Sequence, residues 1–116
     1  MNAVVRAGDT ATGHTDIEGI SVTGIVELAT SSNNLKNGNI GIATSTTYVN
    51  FPSHAHALNE GTPIDFRTHR VLITATGKHK NGGNNIVVNG DTVNVSDEAG
   101  GDANCVATTT NLNCSI

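Results

Sequence analysis

No segment of this chain places apolar residues at helical spacing over as many as three turns. Short β-branched runs alternate instead with turn pairs. Val4-Val5-Arg6-Ala7 ends in Gly8-Asp9, a polar block over 29–39 contains Asn37-Gly38, and Ile86-Val87-Val88 ends in Asn89-Gly90-Asp91. A chain punctuated so often can form only brief strands, because each such pair favours a tight reversal of direction. Composition agrees: Thr (16), Asn (15), Gly (13) and Ser (7) dominate, and all four are weak helix formers. The expected class is all-β, one small conical domain over 1–116 made of short antiparallel hairpins in a pseudo-three-fold arrangement, with a metal-tied apex.

Strands are expected from Ala3 to Asp9, within Ile17 to Leu28, from Ile40 to Phe51, at Val71 to Ala75, and at Ile86 to Asn89 and Val93 to Val95. The block 29–39, the stretch from Leu58 to Pro63 and the tail beyond Ser96 read as loops. Val71-Leu72-Ile73-Thr74-Ala75 is the most apolar run and is expected to be a buried strand. Pro52 is expected to stop the strand before it, since it has no amide hydrogen to donate. Lys80 to Asn85 reads as the long loop of a hairpin. A weak repeat links Val4–Asp9, Val87–Asp91 and the Gly100-Gly101-Asp102 turn, each with glycine and aspartate in succession.

Several functions are set aside by the same letters. No apolar run approaches the roughly 18 residues of a membrane-spanning helix, and the first residues lack the apolar run of a signal peptide. The chain is therefore expected to be neither membrane-spanning nor exported by a cleaved leader. With 6 basic against 10 acidic residues and no basic cluster longer than Lys78-His79-Lys80, nucleic acid is not an expected partner. Two cysteines without an export signal favour reduced thiols, so metal binding competes with a disulfide between Cys105 and Cys114.

His54-Ala55-His56 is the sharpest chemical feature. In extended backbone, residues two apart share a face, so both imidazoles can reach one ion. Zinc takes about four nitrogen or sulfur donors, and His14 and Cys105 complete a three-histidine, one-cysteine set with His54 and His56. Cys114 is the alternative thiol. His69 and His79 are expected to face solvent or bond locally, with His69 the first substitute should one of the chosen histidines fail. Such an ion would tie the beginning, middle and end of the chain together. No glutamate is placed as a general base, which argues for a closed, non-catalytic site.

Val4-Val5-Arg6-Ala7-Gly8-Asp9-Thr10-Ala11-Thr12-Gly13-His14 resembles the opening of PAAR-domain proteins. Phe51-Pro52-Ser53-His54-Ala55-His56 resembles the central histidine motif of that family's phage members. Ile86-Val87-Val88-Asn89-Gly90 is similar to its apolar-strand-then-turn element, and Gly101-Asp102-Ala103-Asn104-Cys105 to its late Gly-Asp-to-Cys element. The resemblance implies a small conical β-structure that caps a trimeric β-helical spike and meets the host cell envelope on piercing. The setting is a contractile phage tail, with a secreted tip of a type VI secretion apparatus as the alternative. It further implies zinc on His14, His54, His56 and Cys105, and no enzymatic role. The chain's ending at Ile116 suits a bare phage tip better than a toxin carrier. Three rival functions remain: the end of a homotrimeric spike whose His54-x-His56 pairs bind iron, a metallo-hydrolase, and a carbohydrate-binding module. The last is disfavoured by the presence of only three aromatic rings, Tyr48, Phe51 and Phe66.

Overall fold

In the computed structural model, which describes residues 2–16, 18–27, 36–37, 40–57, 64–81, 83–95, 101–108 and 112–114, every regular element is a strand. In chain order these are β1 (Asn2–Ala3), β2 (Thr10–Thr15), β3 (Ser21–Val26), β4 (Lys36–Asn37), β5 (Ile40–Gly41), β6 (Tyr48–Ala57), β7 (Ile64–Leu72), β8 (Lys80–Asn81), β9 (Asn84–Asn85), β10 (Thr92–Val93), β11 (Ala103–Val106) and β12 (Asn113–Cys114). The all-β expectation holds among the described residues.

Three hexapeptides, 4–9, 42–47 and 86–91, share one conformation. In each, the last amide donates to the carbonyl three residues back: Asp9 to Arg6, Thr47 to Thr44 and Asp91 to Val88. The last side chain then accepts from that residue's own amide, Arg6 N to Asp9 Oδ2 at 3.0 Å, Thr44 N to Thr47 Oγ1 at 2.9 Å and Val88 N to Asp91 Oδ2 at 2.8 Å. The three units bond one another in a closed circuit. Val5 N donates to Val87 O, Val87 N to Ala43 O and Ala43 N to Val5 O, at 3.0, 3.0 and 2.9 Å. A second circuit lies beside it, from Ala7 N to Gly41 O, Ser45 N to Asn85 O and Asn89 N to Ala3 O. Each unit is entered from a two-residue antiparallel ladder, β1 with β12, β5 with β4 and β9 with β8.

The exits match as well. Val26 N donates to Asp9 O, Ile73 N to Thr47 O and Cys105 N to Asp91 O. Val26, Ile73 and Cys105 are thus equivalent inward positions beside the three turns, and all three are buried in one apolar cluster with Val5, Ala43 and Val87. From here six strands continue as an antiparallel sheet in the order β10-β11-β2-β3-β6-β7. A bridge between Ile73 and Val93, with Thr74 N donating to Thr92 O, joins its two ends next to the turns. Strand β3 alternates strictly, exposed at Ser21, Thr23 and Ile25 and buried at Val22, Gly24 and Val26. At Gly24 an added Cβ would lie 2.4 Å from Val49 Cγ1 and 2.9 Å from the Phe51 ring, so the bare backbone is what lets Phe51 lie flat in the core. On the other side of the circuit Val4, Ile42, Ile86, Val88 and Cys114 form a second, smaller cluster.

The structure departs from the sequence reading at several points. Pro52 does not end a strand, because β6 runs through it; the residue sits in a β-bulge, where no ladder donor is needed. Ile40–Phe51 is not one strand, since the turn of 42–47 divides it. Val71–Ala75 is only half-buried: Ile73 is covered while Leu72 is 46% exposed, as the period of two requires. Lys80–Asn85 is a short hairpin rather than a long loop. Strands β2 and β11 and most of β7 were not anticipated: β2 is polar and contains Gly13, β11 is only four residues long, and β7 interleaves charged residues and histidine with its apolar ones. The third repeat unit is 42–47, not 100–105. The two cysteines are free thiols in separate clusters, so the disulfide alternative does not hold. The expected loop over 29–39 holds β4, and the tail beyond Ser96, read as a loop, holds β11 and β12; the rest of 29–39, the expected loop over 58–63, and 96–100, 109–111 and 115–116 lie outside the described residues.

The capping side chains carry a testable load. Asp91 is 5% exposed and accepts from the amides of Val88 and Thr76 and from the Thr76 hydroxyl. Asp91→Ala leaves the buried Val88 amide unmet and frees the Thr76 anchor, and is expected to cost about 2–4 kcal/mol in urea unfolding, with Asp91→Asn intermediate.

Candidate metal centre

Along β2 and β6, strict alternation would turn the two key histidines outward. In β2 Ala11 pairs with Gly24 and His14 with Val22, three steps on one strand against two on the other. In β6 Phe51 pairs with His69 and His54 with Arg67, again three against two. Each bulge inserts one residue and shifts the inward parity. His14 and His54 therefore join Ala11, Val49 and Phe51 inside, 1% and 5% exposed. Gly13 makes the first bulge possible: its φ is +110, and an added Cβ would meet Asp102 O at 3.3 Å. His69 arrives without a bulge, since it stands directly opposite the inward-facing Phe51.

Ring nitrogens of His14, His54 and His69, on three different strands, lie within 4.8 Å of one another. Ring centroids are 5.4 Å apart for His14 and His54, 5.7 Å for His14 and His69, and 4.8 Å for His54 and His69. Phe51 is the floor: it stacks on His69 at 4.9 Å with a 29° interplanar angle and meets His14 edge-on at 5.3 Å.

The backbone sets the tautomers. His14 Nδ1 is 2.8 Å from Gly101 O and His54 Nδ1 is 2.6 Å from Pro52 O. A carbonyl oxygen only accepts, so in both rings Nδ1 carries the proton and, in the neutral ring, Nε2 carries the lone pair. All three Nε2 atoms are buried, and that of His14 has no hydrogen-bond partner among the described residues. Leaving such a nitrogen dry and unmet costs about 1–3 kcal/mol. An imidazole anchored at Nδ1 by a carbonyl and presenting Nε2 to its neighbours is the arrangement metal-binding histidines adopt. These three residues fit a metal ion; zinc–nitrogen bonds of about 2.0–2.1 Å need only a modest drawing-in of the rings.

Of the residues expected to bind metal, His14 and His54 are brought together. His56 lies in β6 opposite Asp65, and its side chain is outside the described residues. Cys105 is not brought to the imidazoles. It pairs with Ala11, three residues before His14 on β2, which is about 10 Å of strand. Cys105 instead fills the inward position equivalent to Val26 and Ile73. Burial, with Asp91 and Asp9 nearby, pushes its thiol pKa up to about 12. Cys114 is buried in the smaller cluster. His69, held in reserve as a substitute, stands in the group. What the sequence reading missed entirely are two carbonyls. Gly101 was marked as the turn leading to a thiol ligand, and its contribution is the acceptor that orients His14.

Asp16 stiffens the margin of the centre. Its Oδ1 accepts from Glu18 N at 2.8 Å and Ile20 N at 2.9 Å, and the carboxylate also draws on the Ala55 amide beside His54. The Ile20 amide, more than any other group, holds this carboxyl below its ordinary pKa. The β2–β3 turn is thereby fastened to β6.

Comparison with family models, with curated proteins and with solved structures finds no match. The reading of the centre rests on its own geometry.

Two outcomes are expected. Metal analysis after reconstitution is expected to give one ion per chain in wild type and in Cys105→Val, and loss of binding in His14→Ala and His69→Ala. Second, the raised thiol pKa makes stability fall as pH rises from about 9, where an unfolded cysteine ionises, towards about 12. In that window the unfolded chain has released a proton that the folded one retains. Cys105→Val is expected to flatten that part of the denaturation profile relative to wild type.

Proposed function

We propose that this chain is the structural tip of a contractile injection machine, capping a trimeric β-helical spike and piercing the host envelope with an end held by zinc. The observation that carries this reading is the closed hydrogen-bond circuit of Val5, Ala43 and Val87. A single polypeptide can match the end of a homotrimer only where its own backbone approximates three-fold symmetry, and the three hexapeptides with their three entering ladders offer that. The end of a β-helix exposes strand edges that invite aggregation, and a complementary β-surface covers them.

The second support is mechanical. β2 and β6 lead away from the turns at Asp9 and Thr47, β7 returns to Ile73 beside them, and the histidines sit well along these strands; His14 is about 16 Å of strand from Asp9. The molecule is elongated, 47 × 24 × 20 Å. A metal worth about 10–16 kcal/mol in small structural sites would supply at that distance the rigidity a loaded point needs. Zinc is the ion we favour, since the donors are imidazoles and the role needs no redox chemistry. The likeness of 4–14 and 51–56 to PAAR-domain sequences supports the same role, with the virion tail as its place and a type VI apparatus as the alternative. In this reading the chain is not an enzyme.

Native mass spectrometry with the spike trimer from the same source tests the proposal. One copy bound per trimer is the expected result; separate species, or three copies assembling alone around one iron, would sink it. Chelation is expected to lower the melting temperature by roughly 10 °C or more.

A further inference from the structure

We propose that the face on the entry side of the circuit receives an apolar end ringed by carboxylates: the trimer it caps presents aliphatic side chains on its axis and Asp or Glu around them. This rests on the capping reading above and adds the chemistry of the partner surface. On that side lies a cavity of about 230 Å³ walled by Val4, Ile42 and Ile86, the first residues of the three hexapeptides. Leu112 and His79, which also wall it, are equivalent to each other, since Val4 N donates to Leu112 O and Ile86 N to His79 O. His79 and Asn113 are exposed and Leu112 is half-buried, so the cavity opens to solvent between them. With one aliphatic wall from each unit, the recess shares the approximate three-fold symmetry of the circuit. Only an occupant centred on a three-fold axis meets all three walls alike.

Charge narrows the occupant further. The chain has 10 acidic residues against 6 basic ones, yet the entering ladders, β1 with β12, β4 with β5 and β8 with β9, contain none of the acids and hold Lys36 and Lys80. These two lysines occupy matching register positions, Lys36 opposite Gly41 and Lys80 opposite Asn85, with Asn113 opposite Ala3 as their counterpart in the third ladder. The longest basic run of the sequence, Lys78-His79-Lys80, is exposed and reaches the recess through His79. An apolar centre with a basic margin calls for its complement: the centre supplies affinity, and the marginal charges set orientation and encounter rate. A second copy of this chain would bring two basic margins together, which repel. An anionic lipid would satisfy the charge but has no three-fold symmetry to match the walls.

The test mixes the full chain with the spike trimer from the same source and adds a carbodiimide, which joins an amine to a carboxylate only where the two touch. Mass spectrometry of the digest is expected to find an amide between Lys80 and an Asp or Glu at the end of the trimer. Lys80→Glu changes an exposed side chain and is expected to melt as wild type does. At low ionic strength it is expected to bind the trimer at least about tenfold more weakly, the gap closing as salt is raised. Equal, salt-indifferent binding by both chains with no Lys80 cross-link overturns the proposal and leaves capping standing. A wild-type chain that does not bind the trimer sinks the capping reading, and this one with it. Binding to phosphatidylglycerol vesicles that Lys80→Glu abolishes, with trimer binding unchanged, assigns the face to lipid and also overturns it, as does a stable dimer of the chain alone.

Discussion

Three backbone hydrogen bonds closed into a ring decide how this chain can be built. Once Val5, Ala43 and Val87 donate to one another in a circle, each hexapeptide must arrive from the same side and leave on the other. The arrivals are the short ladders, and the departures feed the six-stranded sheet. Segments 38 or more residues apart in sequence are fixed at one level by backbone groups alone. That economy suits a polypeptide with few large apolar side chains, because main-chain bonding and capping side chains replace part of the packing a richer core would provide.

The ring also explains the fate of Cys105. Its amide bonds to Asp91 O as that of Val26 bonds to Asp9 O and that of Ile73 to Thr47 O. A residue at that level faces the apolar cluster whatever its identity, and cysteine serves there as a small hydrophobe. Spacing along the chain suggested a ligand; the level at which the strand leaves the turn makes it a core residue.

Turns and class were legible because they depend on local chemistry. Gly8-Asp9 and Asn89-Gly90-Asp91 announce themselves, and the absence of helical periodicity leaves only strands. The third unit was hidden because Thr47 does with a hydroxyl what Asp9 and Asp91 do with a carboxylate, so Ile42–Thr47 shares no turn signature with its partners. The candidate centre was half legible. Two of its histidines stood out by position, but His69 owes its place to a cross-strand register with Phe51, and register over long range has no local sign. The bulges were hidden for a related reason. Pro52 reads as a strand breaker in isolation and becomes a bulge residue only when a partner strand is present to step past it.

Bulges and orienting carbonyls together form a single device. A regular strand would present Gly13 and Ser53 inward and leave both histidines in water, where the ring of the circuit alone would have to support the far end of the sheet. Inserting one residue in each of two strands turns both imidazoles onto Phe51, and the carbonyls of Gly101 and Pro52 then fix which nitrogen faces inward. Phe51 is the seam between the two halves, touching Gly24 and Val49 on the apolar side and His14 and His69 on the other. The interior thus passes from hydrocarbon to imidazole within one side chain. A polar cluster placed there gains most when its inward nitrogens share a common partner, and the three rings stand close enough together to hold one ion.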